Sequence, residues 1–266
     1  MMVSSATSSP PPDASDSPSL ARLLDATALA EYRHFWFRGF RRFVRPLLAE
    51  ALAGCARPQI LDCGCGTGAN LAMLAGFGDA YGVDREWTGV KRAMFDGRRV
   101  GQGTVDALPF ADARFDLVTS FDVLYCLETP VEQAAVSEMH RVLRPGGRAV
   151  VNVAAMPILT GNHSVLAHEL RRYNASGLRR LLEDGGFVIE RLTYTNATIL
   201  PILLPLRLVH RMMGLALEEE AGDEISVPPK LVNFVCDRLL AIEAAVVRRV
   251  DLPCGSSLLA LARRPS

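Results

Sequence analysis

The densest chemistry in this chain lies in Asp62-Cys63-Gly64-Cys65-Gly66-Thr67-Gly68, which follows the apolar pair Ile60-Leu61 and runs into Ala69-Asn70-Leu71-Ala72-Met73-Leu74. An apolar run, a turn with glycine at every second position and a stretch of helix formers read as a strand passing to a helix through a loop without bulky side chains. Such a loop lets a ligand approach the backbone, and the helix start beyond it is expected to present unpaired N–H groups to an anionic part of that ligand. A second acid, Asp84, closes Tyr81-Gly82-Val83. At the end of a second strand its carboxylate could accept from both hydroxyls of a ribose at once. The glycines alone leave the nucleotide open, because Gly64-x-Gly66-x-x-Ala69 also satisfies a dinucleotide pattern that accepts Ala at its third position.

Positioning these groups requires alternating elements. Strand patterns fall at residues 59–63, 80–84, 103–105, 115–121 and 148–153, with helical patterns at 69–75, 87–95 and 130–143 between most of them. The last helix has a start signal, with Thr129 placed to cap it, Pro130 in its first turn and Glu132 completing a capping box. Pro145-Gly146-Gly147 reads as the turn that ends it. A helix over 175–183, a strand over 187–194 and an edge strand over 257–262 extend the alternation. The pattern predicts an α/β fold with a Rossmann-like, doubly wound, mostly parallel sheet. Five spans follow: a disordered tail over 1–19, a helical segment over the active site at 20–58, a core at 59–195, a helical cap inserted at 196–250, and the core's final strand at 251–266.

Composition narrows the function. The chain has 266 residues, with 29 basic and 29 acidic side chains and no formal net charge. That is enough for a full α/β core, and it gives no basic excess of the kind a nucleic-acid backbone calls for, so no nucleic-acid partner is expected. The first 19 residues are rich in Ser, Pro, Ala and Asp and have neither an apolar run nor an early cation. They read as neither a signal nor a transit peptide, and a cytoplasmic protein with reduced thiols is expected. Cys63-x-Cys65 lacks further ligands at metal-site spacing, so no metal site is expected. Residues 199–217 are apolar but carry Pro201, Pro205, Arg207, His210 and Arg211. A membrane span is excluded by that pattern, and covering a pocket is favoured over lying on a membrane as a peripheral contact.

Taken in order, Ile60-Leu61-Asp62-Cys63-Gly64-Cys65-Gly66-Thr67-Gly68, Tyr81-Gly82-Val83-Asp84, Asp106-Ala107-Leu108-Pro109-Phe110, Phe115-Asp116-Leu117-Val118 and Arg141-Val142-Leu143-Arg144-Pro145-Gly146-Gly147 give the chain its resemblance. It resembles the class I S-adenosylmethionine-dependent methyltransferases, in particular the small-molecule branch that includes ubiquinone and menaquinone biosynthesis enzymes. The resemblance implies a seven-stranded sheet of the methyltransferase type, with S-adenosylmethionine as cofactor and a small, hydrophobic acceptor as partner. It implies that Asp62 and the backbone of Gly64, Gly66 and Gly68 hold the methionine part of the donor and that Asp84 holds the ribose. Asp106 and Ala107 would face the adenine, and Phe121 and Asp122 would line the site near the reactive methyl. Related enzymes often carry a His a few residues after the fourth strand, where this chain has Tyr125-Cys126.

Acceptor chemistry sets what else is needed. A sulfonium methyl is already activated, so an acidic phenol or carboxylate needs little base help, whereas an alcohol or C–H acid needs a positioned base. Candidates for that catalytic role are His168, Tyr173 and Tyr125. Substrate-pocket candidates are His34, Trp36, His163 and Arg172. His140, in mid-helix, is expected to face solvent. A non-catalytic scaffold that kept the nucleotide fold is the second reading, and a NAD-dependent oxidoreductase a distant third, because it leaves the third and fifth motifs unexplained.

Overall fold

The computed structural model describes residues 30–160, 169–205 and 227–266. The expected tail, residues 20–29 of the expected helical segment, and residues 206–217 of the apolar block lie outside the described residues. The elements are α1 (Phe35–Ala51), β1 (Gln59–Cys63), α2 (Ala69–Leu74), β2 (Asp79–Asp84), α3 (Trp87–Phe95), β3 (Val100–Gln102), β4 (Phe115–Phe121), α4 (Thr129–Val142), β5 (Leu143–Ala154), α5 (Ala175–Asp184), β6 (Val188–Thr195), α6 (Lys230–Val247) and β7 (Ser257–Arg263). The strands form one seven-stranded sheet in the order β3-β2-β1-β4-β5-β7-β6. Its strands pair in parallel from β3 to β5, and β7 runs antiparallel to both β5 and β6.

Burial on both faces explains the near-continuous apolar strands. Successive residues point to opposite faces, so Leu61, Val118 and Val151 enter one core cluster while Ile60, Leu117 and Val150 enter the other. The first cluster is closed by Ala135, Val136 and Met139 of α4 and by Leu178 and Leu182 of α5. The second is closed by α1, α2 and α6 through Phe43, Val44, Leu47, Leu71, Leu74 and Leu240. Truncating any one of these central leucines to Ala would cost about 2–5 kcal/mol.

Within the expected helical segment, helix α1 begins at Phe35 and carries Pro46 in its interior. Helix α6, from the expected insert before the last strand, docks on α1. Asp237 is buried there and accepts from Arg42 at 2.7 Å and Arg38 at 3.2 Å. Glu243, also buried, accepts from the peptide N–H groups of Ala197 at 3.0 Å and Thr198 at 2.8 Å.

Three local expectations are corrected. The third strand lies at Val100–Gln102, and residues 103–105 lie past its end, because β2, its one neighbour, itself ends at Asp84, whose carbonyl takes the last bond from Gly103 N–H. The capping box does not form. Glu128 is the N-cap of α4 without a side-chain cap bond, and Glu132 instead accepts from Arg171 at 2.6 Å. Pro145-Gly146-Gly147 is an irregularity inside β5, which begins at Leu143. The register steps from Phe115↔Leu143 to Leu117↔Arg148, and Gly146 takes up the slack at φ 78°.

Candidate active site

The end of β1 and the glycine turn form the floor. Gly64, Gly66 and Gly68 have φ of 79°, 52° and 81°, backbone that L side chains rarely adopt. At Gly64 a Cβ would also lie 2.3 Å from Cγ2 of Val123, so the segment after β4 sits directly on the turn. The N–H groups of Gly64, Cys65, Gly66 and Gly68 are spent internally, while α2 beyond them starts from Gly68 without a side-chain cap bond, as expected of a helix start with open N–H groups. Gly64 and Cys65 donate to the carbonyl of Val83, Gly66 to the Asp84 carboxylate, and Gly68 to the carbonyl of Cys65. A phosphate cradle would need these donors; a ligand that only lies along the backbone does not. Asp62 is buried behind the turn and accepts from the Thr119 hydroxyl at 2.7 Å. Burial pushes its carboxyl up to about 7, with the Thr119 bond opposing and the nearby Asp84 charge adding. Burial likewise pushes the thiols of Cys63 and Cys65 upward.

At the end of β2 the Asp84 carboxylate accepts from Gly66 N–H at 2.7 Å through Oδ2 and from Glu86 N–H at 2.9 Å through Oδ1. An ionised carboxylate offers about four lone-pair sites, so it keeps acceptor capacity for a ligand. Desolvation raises this carboxyl, and the peptide donors of Glu86, Gly66 and Arg85 together with the Arg85 charge counter it. Beyond β3, Asp106 is half-buried and Ala107 exposed. Their loop is held from α4. Arg141 donates to the carbonyls of Phe110 at 2.8 Å and Leu108 at 3.1 Å, while Glu138 accepts from Leu108 N–H at 2.7 Å and from Arg141 at 2.6 Å.

Beyond β4, Phe121 is buried, its ring edge-on to Phe40 of α1 at 5.0 Å. Asp122 has φ of 62° and is fixed from both ends: its N–H donates to the carbonyl of Asn152 at 3.0 Å, and Asn152 Nδ2 donates to its Oδ1 at 2.8 Å. The Tyr125 hydroxyl donates to the same carboxylate. Asp122 keeps an edge open to solvent, yet crowding by the surrounding protein raises its carboxyl. Tyr125 is buried, and burial beside that charge pushes its phenol well up, so it stays a donor. Its carbonyl accepts from Leu170 N–H at 2.9 Å, bringing the 169–173 strand-like segment to the site. There Arg172 pairs with Glu169 at 2.9 Å and donates to the carbonyl of Ala155 at 3.0 Å. Tyr173 is held by its backbone to Ala154 and Met156, and its buried hydroxyl has no partner among the described residues.

The remaining candidates scatter. His34 caps α1, its Nδ1 accepting from Trp36 N–H at 3.1 Å, and Trp36 packs against the second core cluster. The chain just before them reaches the turn, where Glu31 accepts from the Thr67 hydroxyl at 2.8 Å. A cavity of about 30 Å³ between Glu31, Thr67, Gly68 and Arg92 holds no more than a water, so it is not the ligand cleft. His163 and His168 lie outside the described residues. His140 is no solvent-facing side chain: it is half-buried, edge-on to Phe187 at 5.2 Å, and burial lowers its pKa. Among the described residues no group of three His, Cys, Asp or Glu could hold a metal, and no helix is long and apolar enough to cross a membrane.

Sequence reasoning missed Val123, Glu169 and Asn152. Asn152 did carry a signal, as the one polar residue within the apolar run Ala149-Val150-Val151-Asn152-Val153. Glu169 carried a weaker one, its spacing of three from Arg172.

Residues 61–151 match the family model described as Methyltransferase domain. A probable S-adenosylmethionine-dependent methyltransferase of Mycolicibacterium smegmatis is 34% identical over 168 residues, 61% of this chain and 62% of that one. The demethylmenaquinone methyltransferase of Mycolicibacterium vanbaalenii is 39% identical over 116 residues, 42% of this chain and 49% of its own length. The chain thus spans less than two thirds of the length of these curated relatives. Among solved structures, the complex of the Haloferax volcanii Trm112 methyltransferase activator with a putative methyltransferase contains a chain that superposes with a TM-score of 0.59 at 20% identity, covering 96% of this chain and all of that one. That likeness extends the fold beyond the matched domain.

Proposed function

We propose that this chain, whose centre is a methyltransferase domain of the class I S-adenosylmethionine-dependent kind, transfers a methyl group from S-adenosylmethionine to a small, hydrophobic acceptor. The observation that carries the reading is the hydrogen-bond state of the floor. The N–H groups of Gly64, Cys65, Gly66 and Gly68 are used internally, while the Asp84 carboxylate beside them keeps acceptor capacity for a ligand. An acid at the end of β2 beside the glycine turn suits a nucleoside that offers ribose hydroxyls, and the match of residues 61–151 to a methyltransferase domain favours S-adenosylmethionine over a dinucleotide.

The cofactor supplies a methyl already activated on a sulfonium. The chain's own residues bind and orient. Asp84 accepts from the ribose hydroxyls, the loop with Asp106 and Ala107 faces the adenine, and Gly64, Gly66 and Gly68 let the methionine part lie along the turn. Asp62, buried and bonded to Thr119, holds the turn from behind rather than touching the ligand. Phe121 and Asp122 border the methyl. Alignment of acceptor and methyl for in-line displacement can supply up to about 7–11 kcal/mol of the barrier reduction. Tyr125 fixes Asp122 as a donor, and the open Asp122 carboxylate, with its raised pKa, is placed to take a proton from a weakly acidic acceptor. The Tyr173 hydroxyl is the unpartnered polar group for orienting that acceptor, with Arg172 beside it, and His34 and Trp36 shape the rim. His163 and His168 stay within the proposal by their place in sequence after β5.

Calorimetry with S-adenosylmethionine and with NADH tests the reading. Binding of the first and not the second is expected, and the reverse would sink the idea. Incubation with labelled donor and a lipid-soluble extract, followed by isolation of the labelled product, then identifies the acceptor.

A further inference from the structure

One surface of the molecule takes no part in the proposed site. On α6, Leu231, Val235, Ile242 and Val246 recur at helical spacing and are 74%, 45%, 63% and 45% exposed, with Phe234 at 56% beside them. An exposed apolar stripe of this length marks a contact surface. The charges around it decide which. Lys230 and Arg238 on the helix, and Arg248 and Arg249 just past it, are exposed. The helix's two acids are not: Asp237 is 3% exposed against Arg38 and Arg42, and Glu243 is 2% exposed against the peptides of Ala197 and Thr198. Among the described residues the outer face of α6 is therefore apolar and cationic. The exposed acid just past it, Asp251, is paired with Arg191, and the acidic residues Glu218–Glu220, Asp223 and Glu224 that precede the helix in sequence lie outside the described residues.

We infer that the exposed face of α6 docks on an anionic lipid surface. Apolar side chains flanked by cations that can reach lipid headgroups are the chemistry of an interfacial helix. A second copy of the chain is the poorer occupant, because a two-fold contact would set Arg238 and Arg249 against their own kind. The orientation also makes sense of the proposed acceptor, although the docking does not depend on it. Asn233 near the start of α6 accepts from Phe35 N–H at 2.8 Å and donates to the carbonyl of Arg33 at 2.9 Å. Those residues lead to Glu31, which is bonded to the glycine turn. The apolar end of α6 thus lies on the rim side of the molecule, where a lipid-dissolved acceptor would enter.

Co-sedimentation of the full chain with vesicles tests this. Binding is expected to phosphatidylcholine vesicles containing a quarter phosphatidylglycerol, to weaken at least about tenfold on phosphatidylcholine alone, and to weaken as salt rises. The double variant Arg238→Gln/Arg249→Gln should lose about 20- to 30-fold, at roughly fivefold per cation near an anionic surface. Leu231→Ser/Phe234→Ser should lose at least about tenfold. All four side chains are exposed, so circular dichroism should show both variants folded. No vesicle binding at low salt would overturn the inference, whether a second copy or the chain's own residues 206–226 take the face. So would equal binding by wild type and both variants. Sedimentation of the protein alone as a dimer that the same substitutions dissolve would reassign the surface to self-association.

Discussion

The role of Asp84 is the sharpest handle on the proposed donor site, and its geometry dictates how it must be tested. Each carboxylate oxygen already accepts one peptide N–H, from Gly66 and from Glu86. Asp84→Ala therefore removes two bonds that shape the turn as well as any ligand contact, and lost affinity alone would prove little. A ligand-side cut resolves this. Two charge-assisted bonds to the ribose hydroxyls are worth about 1.5–3 kcal/mol each, so Asp84→Ala should weaken S-adenosylmethionine at least about tenfold. A 2′-deoxy analogue of the donor lacks one of the two hydroxyls. If Asp84 holds that hydroxyl, the substitution should cost the analogue less than it costs the donor by about 1 kcal/mol or more, a coupling well outside the additivity of independent sites. Calorimetric affinities of both ligands for both proteins complete the cycle. Equal losses on donor and analogue would refute ribose recognition by Asp84 and leave it a structural residue of the turn. The raised pKa adds a signature: donor affinity should fall as pH drops through it, because the protonated acid has lost its charge-assisted acceptors.

Three further outcomes are expected. Asp62 has its folded pKa raised to about 7 from an ordinary 3.8, so it binds a proton more tightly folded than unfolded, and its contribution to stability is present below about pH 4 and lost as pH rises towards 7. The stability difference between wild type and Asp62→Asn, from denaturant melts at pH 4, 5.5 and 7, should move against wild type with rising pH; a difference flat in pH would place the pKa near its ordinary value. Gly64→Ala should destabilise by about 1–2 kcal/mol for the left-handed backbone, plus about 1–3 kcal/mol for the clash with Val123. Gly64→Ala/Val123→Ala should recover only the second part, and full recovery would mean that the backbone conformation costs nothing. Tyr173→Phe removes a buried hydroxyl without a partner among the described residues, so the melting temperature should hold or rise while kcat falls by about 10²-fold. Unchanged turnover would remove Tyr173 from the acceptor site.

The parts of this molecule that were legible in its sequence are those set by local periodicity and by residues with few alternatives. The strand at residues 59–63 and the helix at 87–95 could be bounded to the residue because an apolar run ends there on glycine or acid. Where a residue had two ways to satisfy its hydrogen bonds, sequence failed. Thr129 and Glu132 spell a capping box, but Arg171, 39 positions along the chain, takes the Glu132 carboxylate, and no local pattern carries that competition. Pro145-Gly146-Gly147 spells a turn, yet partners on both sides of β5 draw those residues into the strand as a bulge. The glycine turn reads in sequence as a phosphate-loop look-alike, and the bonds made by its own N–H groups are not legible there. Only the fold brings Val83 and Asp84 close enough to occupy them.

The same competition explains why the third and fifth motifs discriminate between nucleotide folds when the glycine turn does not. In sequence, Asp106–Phe110 and Arg141–Gly147 are separate signals; in the structure they are one device. Arg141 and Glu138 grip the backbone of Leu108 and Phe110 from α4, and Arg144 pairs with Asp116, whose other oxygen accepts from Gln59 N–H at the start of β1. The loop proposed to face the adenine is thereby fixed relative to β1 and β4, the two strands whose C-terminal ends carry the glycine turn and Asp122. A loop that only closed the sheet would not need three carbonyl and amide contacts from a neighbouring helix. One that must meet a flat base at a set distance from a ribose acid does, because a misplacement of about 1 Å is enough to cost two orders of magnitude in an aligned displacement. Arg141 is on this argument a positioning residue. Arg141→Lys, which keeps the charge but loses the planar fork, should raise KM for the donor more than it lowers kcat at saturating donor.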